Sequence, residues 1–214
     1  MLYITGDTHG CVEDTKKITR LRKKLTAEDY VIICGDFGYV WDHQESPSEK
    51  WRLNWFEKYL PCPLLFIDGN HENFDRLKCY PHEMWHGGKV QYIRPNVIHL
   101  ERGQTYSIGG YEVFAFGGAP SHDKSYRKEH VSWWADEMPS EAEISEGRRN
   151  LHKPDIVITH FLPESIDPYE THSDFGKFLD EVYRSYGQWF CGHYHSDKEY
   201  KGIHLVYNDI KELP

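Results

Sequence analysis

The sequence lacks any apolar run that approaches the ~18–20 residues of a membrane-spanning helix. It also lacks the basic start and apolar stretch of a signal peptide, because its first residues, MLYITGD, are typical of a β-strand. We therefore expect a cytoplasmic protein that does not enter a membrane.

Positive charge is scarce. The chain has 25 Lys and Arg against 34 Asp and Glu, which gives a formal net charge of -9. Proteins that wrap duplex nucleic acid need a positive surface to displace counterions, so this balance disfavours such a partner and, more weakly, a nuclease. A small phosphorylated substrate stays open, since bound cations can reverse the charge locally. The densest basic segment, residues 16–24, is more typical of a solvent-exposed helix face than of a phosphate-binding patch.

Paired cysteines are missing as well. The five cysteines form an odd set without CxxC spacing, which favours reduced, mostly buried thiols over a disulfide framework or a zinc ribbon. No repeat, low-complexity tract or linker interrupts the 214 residues. These absences predict a single domain over residues 1–214. The sequence does not indicate a protein partner.

Short apolar runs alternate with helical patterns. Capping-box spacings begin at Ser46 and Ser140, and the apolar periodicities of residues 12–25 and 175–186 predict two more helices. This order predicts an α/β sheet, whereas residues 90–118 are typical of an antiparallel meander. The apolar runs, which we interpret as buried strands, are Leu2 to Thr5, Tyr30 to Cys34, Leu64 to Ile67, Asp155 to Thr159 and Trp189 to Cys191.

Histidine is abundant, with 14 residues, and several histidines lie in polar clusters that follow these runs. Ligand sites in open α/β sheets form beyond the carboxyl ends of strands, where every cluster is expected. Oxygen ligands mixed with imidazoles suit Mn, Fe, Zn or Ni and not Ca, and the lack of cysteine ligands disfavours a structural zinc site. The candidate ligands and catalytic groups are Asp7, His9, Asp36, Asn70, His71, His160, His193 and His195.

The clusters read GDTHG, GDFG, GNHE, TH and GHYH, in this order, from Gly6 to His195. With this series the chain resembles the calcineurin-like metallophosphoesterase superfamily. The resemblance implies an α/β (α+β) fold, built as a two-sheet β-sandwich flanked by helices. It also implies a centre of two divalent metal ions.

The same resemblance implies a role for each cluster residue. His71 would be the catalytic imidazole beside the substrate. Manganese is the ion that we expect first, with iron, zinc or nickel as alternatives. Asp7, His9, Asp36 and His195 would bind one ion, and Asp36 would bridge to a second ion that Asn70, His160 and His193 complete.

This assignment predicts hydrolysis of a phosphomonoester or a phosphodiester. Two metal ions lower the pKa of a shared water, so a metal-bridging hydroxide would attack the phosphorus in line. His71, as an imidazolium, would stabilise charge on the phosphoryl group or protonate the leaving oxygen. The competing interpretations are a Ser/Thr or purple-acid-type phosphatase and, outside enzymes, a non-catalytic metal-binding scaffold. The complete ligand set disfavours the scaffold.

The second cluster departs from two branches of the superfamily. Residues 35–41 read GDFGYVW, where Ser/Thr phosphatases have G-D-x-x-D-R-G, so Tyr39 and Val40 replace a carboxylate and a phosphate-binding arginine. Purple acid phosphatases have an iron-binding tyrosine at the place of Tyr39, but they have D-x-G where this chain has His9. We expect Tyr39 either to support the metal ligands without binding metal itself or to pack in the core.

Phosphate contacts are expected from a long polar segment, residues 117–134, because long loops in compact domains tend to be functional. We expect Arg127, with Lys124, to bind the substrate phosphate. The alternative is a surface loop anchored by Trp133 and Trp134. The other nine histidines, among them His99, His152 and His204, are expected to be surface or packing residues.

Overall fold

The structure is a computed structural model and describes residues 1–169, 171–184 and 186–214. Strands and helices alternate in the first part of the chain, and strands dominate its middle. In chain order the elements are β1 (Leu2–Thr5), α1 (Val12–Leu21), β2 (Tyr30–Ile33), α2 (Pro47–Tyr59), β3 (Leu64–Phe66), α3 (Phe74–Leu77), β4 (His82–Trp85), β5 (Gly88–Arg94), β6 (Val97–Leu100), β7 (Gln104–Ile108), β8 (Tyr111–Phe116), α4 (Glu141–Asn150), β9 (Ile156–Thr159), α5 (Asp174–Val182), β10 (Gln188–Cys191), β11 (Lys198–Tyr200), β12 (Ile203–Leu205) and β13 (Lys211–Leu213).

The strands form two mixed sheets. The first sheet has the order β13-β1-β2-β3-β6-β5-β4, and the second has the order β11-β12-β10-β9-β8-β7. The central strands are parallel: β1, β2, β3 and β6 in the first sheet, and β8, β9, β10 and β12 in the second. Antiparallel strands extend both sheets at their outer ends. The carboxyl ends of the parallel strands therefore lie along one edge of each sheet.

The two sheets pack face to face, with helices on the outside. Alternate residues of the parallel strands, such as Ile4 and Ile158, lie in the core between the sheets. Their neighbours face outward: Tyr3 packs in a cluster with α1 and α2, and Val157 packs in a cluster with α5. Because these strands are covered on both faces, they appear in the sequence as uninterrupted apolar runs. The predicted two-sheet sandwich flanked by helices is confirmed.

Capping boxes begin two helices at the predicted positions. The side chain of Ser46 accepts from the backbone N–H of Glu49, whose carboxylate accepts from the backbone N–H of Ser46, and Ser140 begins α4 in the same way. Helix α5 ends at Val182, before the end of the predicted pattern, and Ser185 lies outside the described residues. The apolar periodicity continues past the end of the helix because Tyr183 and Tyr186 pack on the same apolar cluster as the buried residues of α5.

Residues 90–118 do not form one meander, so that prediction was wrong. β5 pairs with β6, and β7 pairs with β8, as antiparallel hairpins, but the two hairpins belong to different sheets. β6 also pairs in parallel with β3, and β8 with β9. Turn residues identify each hairpin locally, Pro95 and Asn96 in the first and Gly109 and Gly110 in the second. The sheet that a hairpin joins is set by contacts distant in sequence.

Within the described residues, no helix is long and apolar enough to cross a membrane. All five cysteines are unpaired, and Cys34, Cys62 and Cys191 are buried, as expected of reduced thiols.

Asp68, two residues after the end of β3, forms a buried ion pair with Arg102. Nε and Nη2 of Arg102 donate to Oδ2 of Asp68 at 2.9 and 2.6 Å, and Nε2 of His99 lies 3.2 Å from Oδ1. Burial opposes ionisation of Asp68, but Arg102 and His99 outweigh it and lower the pKa of the carboxyl to about 2. His99 is therefore a packing residue within the core, in agreement with the sequence.

We expect Arg102→Met to destabilise the fold by about 3–5 kcal/mol, because the buried carboxylate of Asp68 would lose its cation. For a chain of this size, the melting temperature should fall by roughly 10 °C in calorimetry at pH 7. The folded-state pKa of Asp68 lies below the value of 3.8 for a free carboxyl, so the stabilisation is present above that pH and is lost as the pH falls toward 2. The difference in melting temperature between wild type and variant should therefore become smaller in acid.

Arg148→Met is the matched control. Nη2 of Arg148 lies 2.7 Å from Oε1 of Glu181, but the side chains are 48% and 47% exposed. Removing this exposed pair should cost less than about 1 kcal/mol. Equal losses of stability in the two variants would show that breaking the buried pair costs no more than breaking the exposed pair.

Candidate metal centre

The polar clusters that follow five strands meet at one end of the sandwich. The clusters after β1, β2 and β3 come from the first sheet, and those after β9 and β10 come from the second. The site is therefore assembled from both sheets, at the carboxyl ends of their parallel strands. Asn70 directly precedes His71, whose backbone N–H donates to Asp36. The site brings together the other seven predicted residues: Asp7, His9, Asp36, His71, His160, His193 and His195.

The backbone of this end is strained. Eight of the described non-glycine residues have positive φ, and four of them, His9, Asp36, His193 and His195, are predicted metal ligands. Such conformations cost about 1–3 kcal/mol each and concentrate at functional sites. The packing around Asp36 is also close, because a Cβ added at Gly69 would collide with Oδ1 of Asp36. The loops are thus shaped around the ligand side chains.

The potential ligand atoms form three overlapping groups: Asp7-His9-His195, His9-Asp36-His71 and Asp36-His160-His193. Within each group the atoms all lie within 4.8 Å of one another. His9 and Asp36 each belong to two groups, and Asp36 presents one oxygen to each side: Oδ2 lies 3.4 Å from Nε2 of His9, and Oδ1 lies 3.3 Å from Nε2 of His160. The carboxylate of Asp36 therefore lies between two sets of ligands, which is the position that a bridging ligand requires.

Three ligand atoms in this site are buried and make no well-directed hydrogen bond among the described residues. They are Oδ2 of Asp7, Oδ1 of Asn70 and Nε2 of His160. Oδ2 of Asp7 nevertheless lies 3.0 Å from Nε2 of His195, and Nε2 of His160 lies 3.3 Å from Oδ1 of Asp36. Leaving a buried polar atom unpaired costs about 1–3 kcal/mol, and proteins rarely tolerate it without a reason. Carboxylate, amide and imidazole donors are those that Mn, Fe, Zn or Ni accept, so the residues fit divalent metal ions.

Hydrogen bonds orient two of the imidazoles. Nδ1 of His160 donates to the carbonyl oxygen of Cys34 at 2.7 Å, and Nδ1 of His9 donates to Oδ2 of Asp14 at 3.1 Å. In both rings Nε2 consequently faces the site. Metal-binding histidines commonly donate their other N–H to a carboxylate or a carbonyl in this manner.

Burial and neighbouring charges shift the pKa values of four candidate ligands. Burial opposes ionisation of Asp36 and Asp7, but neighbouring imidazoles, His160 foremost, hold the pKa of both carboxyls below the usual range. Burial lowers the pKa of His193 to about 3, so its ring is neutral. For His160, Asp36 and Asp7 outweigh burial and raise the pKa to about 9, so a metal ion bound at Nε2 would release a proton.

Several supporting residues were missed by the sequence analysis. Glu72, the last residue of the GNHE cluster, is buried and accepts from the backbone N–H of Phe37 at 2.7 Å, which holds the loop after Asp36. Lys17 departs from the exposed face expected for residues 16–24, because Nζ donates to the carbonyl oxygens of Gly6 and Asp7 at 2.8 Å each. The motif could have indicated Glu72, whereas nothing in the basic segment distinguishes Lys17 from its neighbours.

Asn70 is oriented by a buried hydrogen-bond chain. Its Nδ2 donates to Oγ of Ser121 at 3.2 Å, and Oγ of Ser121 donates to Oε2 of Glu137 at 2.6 Å. Because the Ser121 hydroxyl gives its proton to Glu137, it can only accept from Asn70. The amide oxygen of Asn70 is therefore the atom left without a hydrogen bond from the described residues, and so it is the one free to bind a metal ion. No spacing in the sequence connects these residues, since the fold alone brings residues 121 and 137 to residue 70.

The predicted Arg127 reaches the site, and it does so at His71. Nη2 of Arg127 donates to Nε2 of His71 at 2.9 Å, and Nε of Arg127 lies 2.8 Å from Oδ1 of Asp123. The ring of Trp41 stacks against that of His71, with ring centroids 5.6 Å apart. Burial and Arg127 lower the pKa of His71, although Asp36 opposes them.

Two other predicted residues lie away from the ligand atoms. Nζ of Lys124 lies 5.8 Å from the ring centre of Trp133, on the exposed side of its loop. Tyr39 is buried, and its hydroxyl lies 2.6 Å from Oγ1 of Thr15. The structure thus places Tyr39 as a packing residue behind the loop of Asp36, which is one of the two positions expected for it.

A family model described as calcineurin-like phosphoesterase matches residues 2–197. The chain belongs to this family. The match confirms the family and the class of enzyme, a metallophosphoesterase, that the sequence predicted. Members use divalent metals, in agreement with the candidate ligand groups.

The relatives include proteins named lariat debranching enzyme. That of Saccharomyces cerevisiae is 28% identical over 195 residues, which cover 77% of this chain and 44% of that protein. That of Gallus gallus is 24% identical over 188 residues, which cover 78% of this chain and 33% of that protein. The chain thus spans less than half the length of these relatives. A solved structure from Staphylococcus aureus, provisionally named a 5'-nucleotidase, covers 96% of this chain and 47% of its own, with 17% identity and a TM-score of 0.43.

We expect Ser121→Ala to weaken binding of a metal ion at Asn70 by roughly 10–100-fold, because residues that orient metal ligands contribute affinity of this order. Calorimetric titration of the metal-free protein with Mn²⁺ measures the effect. Ser107→Ala, in the edge strand β7, is the control and should bind as wild type. Unchanged affinity in Ser121→Ala would show that Asn70 needs no such support.

Proposed function

We propose that this chain hydrolyses a phosphodiester with two divalent metal ions bound at the carboxyl ends of the parallel strands. The supporting observation is the group of buried ligand atoms around the shared carboxylate of Asp36, in which atoms of Asp7, Asn70 and His160 make no well-directed hydrogen bond to another described residue. A protein without a metal ion would gain stability by pairing these atoms. Their arrangement is therefore best explained by cations.

The proposed ligands divide into two sets around Asp36. When bound, the two ions supply an activated water and positive charge for the phosphoryl oxygens. The mixed oxygen and imidazole donors suit manganese, with iron, zinc or nickel as alternatives. One set is Asp7, His9, Asp36 and His195, and the other is Asp36, Asn70, His160 and His193.

Arg127 and His71 would contact the substrate beside the metal ligands. The side chain of Arg127 is 12% exposed and is held by Asp123, so its guanidinium is fixed before the substrate arrives. A guanidinium matches the geometry of phosphoryl oxygens, so Arg127 would bind the phosphate. His71, 2.9 Å from Arg127, would then hydrogen-bond a phosphoryl oxygen or the leaving oxygen.

The name of the relatives, lariat debranching enzyme, favours a diester over a monoester and a nucleic acid over other sources of the diester. The net charge of -9 does not oppose this, because the attraction of a phosphate depends on the charge at the site and not on the sum over the chain. A small phosphodiester is the simplest substrate with which to test the proposal.

The test compares two substrates of the Mn²⁺-loaded protein, bis-p-nitrophenyl phosphate and p-nitrophenyl phosphate. We expect a higher kcat/KM for the diester, loss of turnover with a chelator and recovery on addition of Mn²⁺. Asp36→Asn should lower kcat/KM on the order of 10³-fold, because the shared carboxylate helps to hold both ions. The metal content of each protein is measured in parallel.

Each alternative has its own outcome. No turnover of either substrate with Mn, Fe, Zn or Ni would favour a metal-binding scaffold. A higher kcat/KM for the monoester would make the chain a phosphatase. An Asp36→Asn protein that keeps full activity and two bound ions would exclude the bridging role of Asp36.

Arg127→Ala should raise KM for the diester about tenfold to hundredfold, because a charge-assisted hydrogen bond to the phosphate would be lost. The metal content should stay at the wild-type level, since Arg127 is not a proposed ligand. Lys124→Ala is the matched control from the same loop and should leave KM unchanged, because Lys124 contacts Trp133. The two variants are compared by steady-state kinetics, and equal effects would remove the specific role of Arg127.

A further inference from the structure

A groove of about 340 Å³ shares His9 with the candidate metal centre. His9 lines the groove, and its Nε2 lies 3.4 Å from the carboxylate of Asp36. Residues of α2, including Trp51 and Arg52, line the groove as well. A molecule whose phosphate lies at the metal centre could therefore place an attached group in this groove.

Trp51 is the feature of the groove that the fold does not explain. Helix α2 buries Leu53 and Phe56 against the first sheet, whereas the side chain of Trp51 is 61% exposed. A single exposed aromatic residue is ordinary on a protein surface. Trp51 differs because it lines a groove that a proposed metal ligand also lines, and because the guanidinium carbon of Arg52 lies 4.8 Å from its ring centre.

The groove has a second tryptophan, Trp41, which packs against His71. Trp41 lines the groove and is fixed by His71, which stacks on it, and by Trp134, whose ring meets it edge-on at 5.6 Å. The backbone N–H groups of Trp41 and Asp42 donate to Oε1 of the buried Glu49 at 2.7 and 2.9 Å. Asp42 itself is exposed at the rim, where its carboxylate can accept hydrogen bonds.

We propose that this groove binds a nucleobase of the substrate, stacked on Trp51, while the attached phosphate lies at the metal centre. This inference rests on the proposed function. A nucleobase has a flat apolar face and N–H groups at its edge, which match the indole ring of Trp51 and the carboxylate of Asp42. Stacking of a base on an aromatic side chain tolerates any base, so the groove selects nucleotides over other phosphoesters without reading sequence.

The experiment uses two diesters with the same leaving group: thymidine 5'-monophosphate p-nitrophenyl ester and methyl p-nitrophenyl phosphate. With Mn²⁺, we expect the wild type to prefer the thymidine ester. Trp51→Ala should lower kcat/KM about tenfold for the thymidine ester, a loss typical of one base stack, and leave the methyl ester unchanged. Trp51→Phe should retain most of the preference. Tyr59→Ala, an exposed aromatic at the end of the same helix, is the matched control and should behave as wild type.

Two results would overturn the inference. One is an equal loss for both esters in Trp51→Ala, which would mean that the ring supports the fold or contacts the nitrophenyl group. The other is no loss for either ester. If the wild type cleaves neither ester, the proposed function fails, and the groove is tested by binding of thymidine 5'-monophosphate to the Mn²⁺-loaded protein. Weaker binding by about tenfold in Trp51→Ala would then support the base site, and equal binding would exclude it.

Discussion

Two carboxylates, Asp7 and Asp36, are buried at the end of the sandwich where the two sheets meet, and the surrounding structure makes their burial possible. A buried charge is costly unless it is paired and hydrogen-bonded. The backbone N–H of His71 donates to Asp36 at 2.8 Å, and that of His193 donates to Asp7 at 3.1 Å. Each carboxylate is thus held by the backbone of another cluster, so the loops depend on one another for their conformations.

The sequence predicts much of this arrangement because the relevant signals are local. Strands that are buried on both faces are visible as apolar runs, and clusters such as GHYH follow them directly. The candidate ligands could be named from these clusters for the same reason, whereas their division between two ions rests on the family resemblance. The partners of the ligands could not be named in this way, because Ser121 and Glu137 reach Asn70 only after β3 and the long loop have packed together.

The middle of the chain shows the same limit at the level of topology. The turns of two hairpins are readable in residues 90–118, but their division between two sheets depends on parallel pairing of β6 with β3 and of β8 with β9. The contact between His71 and Arg127 has no signal in the sequence either, because the two residues lie 56 positions apart. Net charge says little about which ligand a single pocket attracts, because it is a sum over the whole chain.

The candidate ligands come from both sheets, with Asp36 from the first and His160 and His193 from the second. Cations held between them would tie the two layers together across nearly the whole length of the chain. Folding and metal supply would then be thermodynamically linked: the free energy of unfolding would rise with the concentration of free ion, as for any ligand that binds only the native state. On this view, the cell's metal content would govern the abundance of the folded protein as well as its turnover.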